Sequence, residues 1–153
     1  MHKRSVHIDA PVERVFDYVQ DPHRFFEAFD EEWRRHMALA EVNTTPEGVG
    51  STYRMMGRMF LLFHMEWVLT REEYVLNERI VDHANTGGVW TSTFEPDETG
   101  TTLSMAFGWS SKVPLVGDVL DRVGWNGDKD LDLMLANLKK AIEEQVHLHG
   151  TPD

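Results

Sequence analysis

Over Lys3 to Asp9 the residues Ser5, His7 and Asp9 interleave with Val6 and Ile8, a period of two that suits a half-buried strand. Ala10-Pro11 ends it, and Val12, Val15, Phe16 and Val19 then recur at helical spacing, so a helix is expected from Pro11 to Gln20. Asp21-Pro22 reads as a second start signal, an acid at the cap followed by proline at the first helical position, and Phe25, Phe26 and Phe29 form the apolar stripe of a second short helix. From Trp33 to Ser111 the period returns to two. Six further strands are expected: Trp33 to Val42, Ser51 to Met59, Leu61 to Glu72, Val75 to Ala84, Val89 to Glu95 and Thr101 to Ser111, seven with the first. Thr45-Pro46-Glu47-Gly48, Gly57 to Phe60, Glu73-Tyr74, Asn85-Thr86-Gly87-Gly88 and Pro96 to Gly100 separate them as turns, hairpins or a bulge.

After Lys112 to Gly117 the spacing reverts to 3.6. Val119, Leu120, Val123, Leu131, Met134, Leu135, Leu138, Ile142 and Val146 lie on one stripe of a long C-terminal helix. Gly124 and Gly127 each cost a helix about 1 kcal/mol relative to alanine, so a kink or break is expected between Val123 and Asp128. There is no repeat, linker or low-complexity stretch. One domain over 1–149 is expected, with 150–153 fraying.

Composition narrows the function classes. The 153 residues are 41% hydrophobic and 27% charged, which is a folding composition. A formal net charge of -11 repels phosphate backbones and anionic lipid, so nucleic acid is not an expected partner. With no cysteine there is no disulfide, thiolate nucleophile or cysteine-held zinc. The N-terminus lacks the apolar run of a signal peptide, and the apolar stretch Met55 to Leu69 is broken by Arg58, His64 and Glu66 and too short for a membrane span. A cytoplasmic location is the expectation.

The order of one strand, two short helices, six antiparallel strands and a long helix carries particular local words. Ile8-Asp9-Ala10-Pro11-Val12-Glu13-Arg14-Val15-Phe16-Asp17-Tyr18-Val19 with Asp21-Pro22 resembles the opening of the START-like, or SRPBCC, superfamily, which includes polyketide cyclases, the birch pollen allergen and lipid-transfer domains. Gly48-Val49-Gly50-Ser51-Thr52-Tyr53, the strand holding Trp67, Gly100-Thr101-Thr102-Leu103 and Leu135-Ala136-Asn137-Leu138-Lys139 are similar to its recurrent words too. The resemblance covers about Lys3 to Gln145. It implies an α+β helix-grip fold: a seven-stranded curved antiparallel sheet wrapped around a long C-terminal helix, with a cavity between them. One scaffold of this kind serves binders, carriers, cyclases, hydrolases and regulators, so it does not name a reaction.

Alternation assigns Tyr53, Met55, Phe63, Met65, Trp67, Leu69, Trp90, Ser92, Phe94, Leu103, Met105, Phe107 and Trp109 to the concave face. Leu131 and Leu135 face them from the helix, and Trp125 and Asn126 sit near the mouth. Eight methionines and five tryptophans suit an adaptable apolar pocket. Arg35, Tyr53 and Glu78 fall in register with inward neighbours; a one-residue shift in the first long strand exchanges Arg35 for His36. Arg35 and Glu78 can equally form a buried structural ion pair. His36, His64 and His83 lie on three strands with no local ligand spacing, so no metal is expected, nor any cofactor. A Gly-x-Ser-x-Gly elbow and a phosphate loop are both missing, and Asp128, Asp130 and Asp132 read as helix-start charges.

The leading expectation is a binder or carrier of a small hydrophobic molecule, whether lipid, polyketide or aromatic, working as monomer or homodimer. A metal-independent cyclase or dehydratase using Arg35, Tyr53 and Glu78 on an enolisable substrate is the alternative. A module that docks an apolar partner segment is the third.

Overall fold

The strand patterns assemble into one antiparallel sheet in the order β1-β7-β6-β5-β4-β3-β2. The computed structural model describes residues 2–59, 63–109 and 127–149. Its strands are β1 (His2–Ile8), β2 (Met37–Asn43), β3 (Thr52–Met59), β4 (Phe63–Val75), β5 (Arg79–Ala84), β6 (Gly88–Asp97) and β7 (Gly100–Trp109). The helices are α1 (Val12–Gln20), α2 (Pro22–Glu27), α3 (Glu31–His36) and α4 (Gly127–His149). Because β1 and β2 occupy opposite edges, α1, α2 and α3 must cross the concave face between them. The long α4 packs against the same sheet, on β1 and β7, which gives the helix-grip arrangement of an α+β fold.

Two boundaries differ from the sequence expectation. Residues 33–36 are helical rather than extended. Asp30 caps α3 by accepting from the Glu32 N–H at 3.3 Å, Glu31 and Glu32 fill the first turn, and Arg34, Arg35 and His36 fill the last, a charge order that favours the helix dipole. β4 runs on to Val75, past the Glu73-Tyr74 turn expected, because a bulge between Arg71 and Glu73 absorbs the extra residue. The chain reverses instead at Leu76 to Glu78, where Asn77 adopts φ 61°, which asparagine tolerates, and the Glu78 N–H donates to the Val75 carbonyl at 3.0 Å. The break expected between Val123 and Asp128 falls largely outside the described residues, as do Trp125, Asn126 and 150–153.

The core is divided, and the division makes room for a site. One cluster joins Ile8, Val15, Phe16, Phe94, Leu103 and Met105 to the inner stripe of α4: Leu131, Met134, Leu135, Leu138 and Ile142. A smaller one holds Tyr53, Met55 and Leu69 on β3 and β4. Phe29 and Trp90 pack against both. Two polar ties fix α4 over the sheet: the Asn137 amide donates to the Ala28 carbonyl at 3.0 Å, and Lys139 Nζ donates to the His7 carbonyl at 2.7 Å.

Candidate functional site

Between α2–α3 and the sheet lies a cavity of about 490 Å³. The short helices supply one wall. Asp21 caps α2 by accepting from the His23 N–H at 2.9 Å, Pro22 opens its first turn, and this sets the pitch that turns Phe25, Phe26 and Phe29 toward the sheet. Trp33, Met37 and Leu39 extend the wall, while Tyr53, Met55, Trp67, Leu69, Trp90, Phe107 and Trp109 line the sheet side and Leu133 and Met134 the α4 side. Tyr53, Met55, Leu69, Phe107 and Met134 are buried and form the floor. Asp30, Glu32, Trp33, His36, Arg58 and Leu133 are exposed and mark the mouth.

The rings meet mostly edge to face. Trp90 lies 4.5 Å from Phe107, and Phe25 and Phe29 stand at 6.3 and 6.4 Å from Trp90 with interplanar angles of 84° and 89°. Trp33 stacks on Phe29 at 6.5 Å toward the mouth. An aromatic wall of this kind offers ring faces and edges to a flat apolar guest.

One buried polar network adjoins the floor. Tyr53 Oη donates to Asp82 Oδ2 at 2.8 Å, Arg71 Nε donates to Asp82 Oδ1 at 3.0 Å, and Arg71 Nη1 donates to the Gln20 carbonyl at 3.0 Å. Arg71 and Asp82 are 5% and 7% exposed, so the pair is desolvated on both sides and each charge answers the other. Burial, and then the Asp82 carboxylate, hold the Tyr53 hydroxyl well above the usual phenol range, with Arg71 pulling the other way. The network joins β3, β4 and β5 to Gln20 at the end of α1, with only Asp21 between it and the start of α2.

The residues expected at the site separate into groups. Tyr53, Met55, Trp67, Trp90, Phe107 and Trp109 line the cavity together with Leu69. Phe94, Met105, Leu131 and Leu135 are buried in the larger core cluster instead, because α4 packs on β1 and β7, and α1 on β6 and β7, at that end of the sheet. Ser92 is buried beside Asp82 and Trp90, at a void of about 10 Å³ behind the cavity floor. Met65 is half-buried and does not line the cavity. The Phe63 side chain and Trp125 lie outside the described residues.

Arg35, Tyr53 and Glu78 do not converge. Arg35 sits on α3 with its side chain 67% exposed, 3.6 Å from Glu31, because its segment is a helix and not the inward-facing strand expected. Glu78 is exposed in the β4–β5 turn, so the two form no buried pair. The buried pair is Arg71 with Asp82. Sequence reasoning missed it although Arg71 continues the odd-numbered inward row of Trp67 and Leu69, and Asp82 shares its row with Ile80. His36, His64 and His83 stay apart, His83 at 3.2 Å from Glu72, and no group of three or more His, Asp or Glu residues able to hold a metal occurs among the described residues. No described helix is long and apolar enough to cross a membrane.

The fold is shared with solved structures of low sequence identity. A Thermus thermophilus protein superposes with a TM-score of 0.66 at 16% identity, over 94% of this chain and 97% of its own. A Nitrosomonas europaea protein gives 0.70 at 8% identity, covering 95% of each chain. An AHSA1-like protein from Aeromonas hydrophila gives 0.62 at 15% identity, over 99% of this chain and 97% of its own. No curated protein matches the chain in sequence. A sequence model of the family described as polyketide cyclase / dehydrase and lipid transport matches residues 2–143, nearly the whole chain with its SRPBCC-type fold, and the chain belongs to that family.

Proposed function

We propose that the protein binds one small hydrophobic molecule of ring-containing or lipid-like type in the cavity between α2–α3 and the sheet. The observation that carries this reading is the cavity itself: about 490 Å³, within the roughly 300–1,000 Å³ of small-molecule sites, with a buried floor, an aromatic wall and an exposed mouth. Family membership supports the same ligand class. A guest there gains about 25 cal/mol for each Å² of apolar surface removed from water, without first having to open a packed core. Arg35, Tyr53 and Glu78 lie apart, so the cyclase or dehydratase reading gains no support from this geometry.

Native mass spectrometry after incubation with neutral polycyclic aromatics and long-chain alcohols tests the reading. A one-to-one adduct that survives desalting is expected. Absence of any adduct across both ligand sets contradicts it.

A further inference from the structure

The buried network beside the cavity decides which polar atom a ligand can bring to the floor. Tyr53 is the residue common to the cavity wall and the network. Pro22, Phe25 and Trp90 also line both the cavity and the small void that reaches Arg71, Asp82 and Ser92, so the network stands directly behind the wall. A carboxylate held by a guanidinium has no proton to give, so in the 2.8 Å contact Tyr53 must donate and Asp82 accept. A phenol has one proton. With that proton committed to Asp82 Oδ2, the Tyr53 oxygen has only lone pairs left for a third party.

Withdrawing the proton is costly. Asp82 Oδ2 would keep only the 3.4 Å contact from Arg71 Nη2, inside a site that water does not reach freely. Arg71, behind the wall, is engaged by Asp82 and the Gln20 carbonyl, and the arginine that does line the cavity, Arg58, lies at the mouth. An anionic head that reached the Tyr53 oxygen from the floor would therefore meet an acceptor and no uncommitted cation among the described residues.

From this geometry we infer that Tyr53 is a specificity-determining hydrogen-bond acceptor, so the cavity selects neutral aromatic ligands carrying a hydroxyl or N–H at their buried end and rejects carboxylates there. The inference rests on the cavity-binding reading. It adds the sign of the polar contact, which shape and hydrophobicity do not give. The raised position of the Tyr53 hydroxyl titration agrees with it, since the proton stays on the phenol across the physiological range.

Calorimetric titration of the whole chain with naphthol, methoxynaphthalene and naphthoate, at about pH 7 where naphthol is neutral and naphthoate ionised, tests it. The three share a ring system and differ in one substituent: donor, blocked donor, anion. Naphthol should bind about five- to tenfold tighter than methoxynaphthalene, the usual net effect of one hydrogen bond, and naphthoate weakest of the three. In Tyr53→Phe the naphthol preference should collapse to within about twofold, with the far-ultraviolet circular dichroism of the wild type. A nuclear Overhauser contact between the naphthol and Tyr53 rings is expected in the wild-type complex, and its absence removes Tyr53 as the acceptor without any variant.

Equal affinity for naphthol and methoxynaphthalene, tightest binding of naphthoate, or absence of the Tyr53 contact overturns the inference and leaves cavity binding standing. Failure of all three to bind removes the cavity-binding reading and this inference with it.

Discussion

Replacing Arg71 with methionine leaves Asp82 buried without its counter-charge, and the structure gives the size of the loss. The guanidinium makes two contacts to Asp82, at 3.0 and 3.4 Å, and one to the Gln20 carbonyl at 3.0 Å, and both side chains of the pair are under one-tenth exposed. Removing one partner of such a pair costs about 3–5 kcal/mol, because the remaining charge can neither hydrate nor find a substitute. A domain of this size has a total stability of about 5–15 kcal/mol. Urea unfolding followed by tryptophan fluorescence should show the midpoint falling by about 2 M, taking a slope of about 2 kcal/mol per M. The double variant Arg71→Met with Asp82→Leu removes the orphaned charge and should return to within about 1–2 kcal/mol of wild type, the remainder reflecting the unpaired Tyr53 hydroxyl and Gln20 carbonyl. A cost below about 1 kcal/mol for the single variant, or a double variant no more stable than the single, refutes the reasoning.

Other outcomes follow from the same geometry. Leu138 is fully buried in the larger cluster, so Leu138→Ala should lose about 2–5 kcal/mol in the same denaturation assay while leaving the cavity wall in place. Tyr53 titrates higher in the folded chain than its unfolded value of about 10, so its contribution is fully present below about pH 10 and is lost as pH rises through the folded value. Alkaline unfolding should therefore accompany ionisation of Tyr53 in ultraviolet difference spectra, and Tyr53→Phe should unfold less steeply with pH over that range. Arg35→Met and Glu78→Gln change exposed side chains away from the cavity and should leave ligand affinity within about twofold in calorimetry, surface substitutions being worth about 0.5 kcal/mol or less.

Much of the sheet was legible because a strand with one buried face writes a period of two into the chain. Leu103, Met105 and Phe107 alternate with half-buried Thr102, Ser104 and Ala106, and the β6–β7 register pairs them without a break. The pattern misled where two elements share residues of one type. Trp33 to His36 reads as the start of the strand that runs on to Val42, yet Asp30 and the charge order of the next six residues make it a helix, which carries Arg35 away from the interior. The bulge after Arg71 and the turn at Asn77 are one-residue events, invisible to a periodic pattern, and they put Glu78 in solvent and Asp82 in the core. The rotation of α4 was likewise beyond reach. Its apolar stripe includes Leu131, Met134 and Leu135 alike, and the tertiary ties of Asn137 to Ala28 and Lys139 to His7 accompany the placement that gives Met134 to the cavity and Leu131 and Leu135 to the packed core. Phe25, Phe26 and Phe29 were visible as a helical stripe, but a stripe does not say whether it faces a core or a cavity.

The measurement that bears most directly on ligand binding in the cavity is an equilibrium titration of the wild type and Trp67→Arg with a neutral apolar fluorophore, paired with far-ultraviolet circular dichroism. Trp67 lines the cavity and is only half-buried, so an arginine there can reach water with its charged end while opposing entry of an apolar guest. Saturable one-to-one binding by the wild type, and at least tenfold weaker binding by a folded Trp67→Arg, is the expected result. Undiminished binding by the folded variant, or no saturable binding by the wild type, contradicts the account.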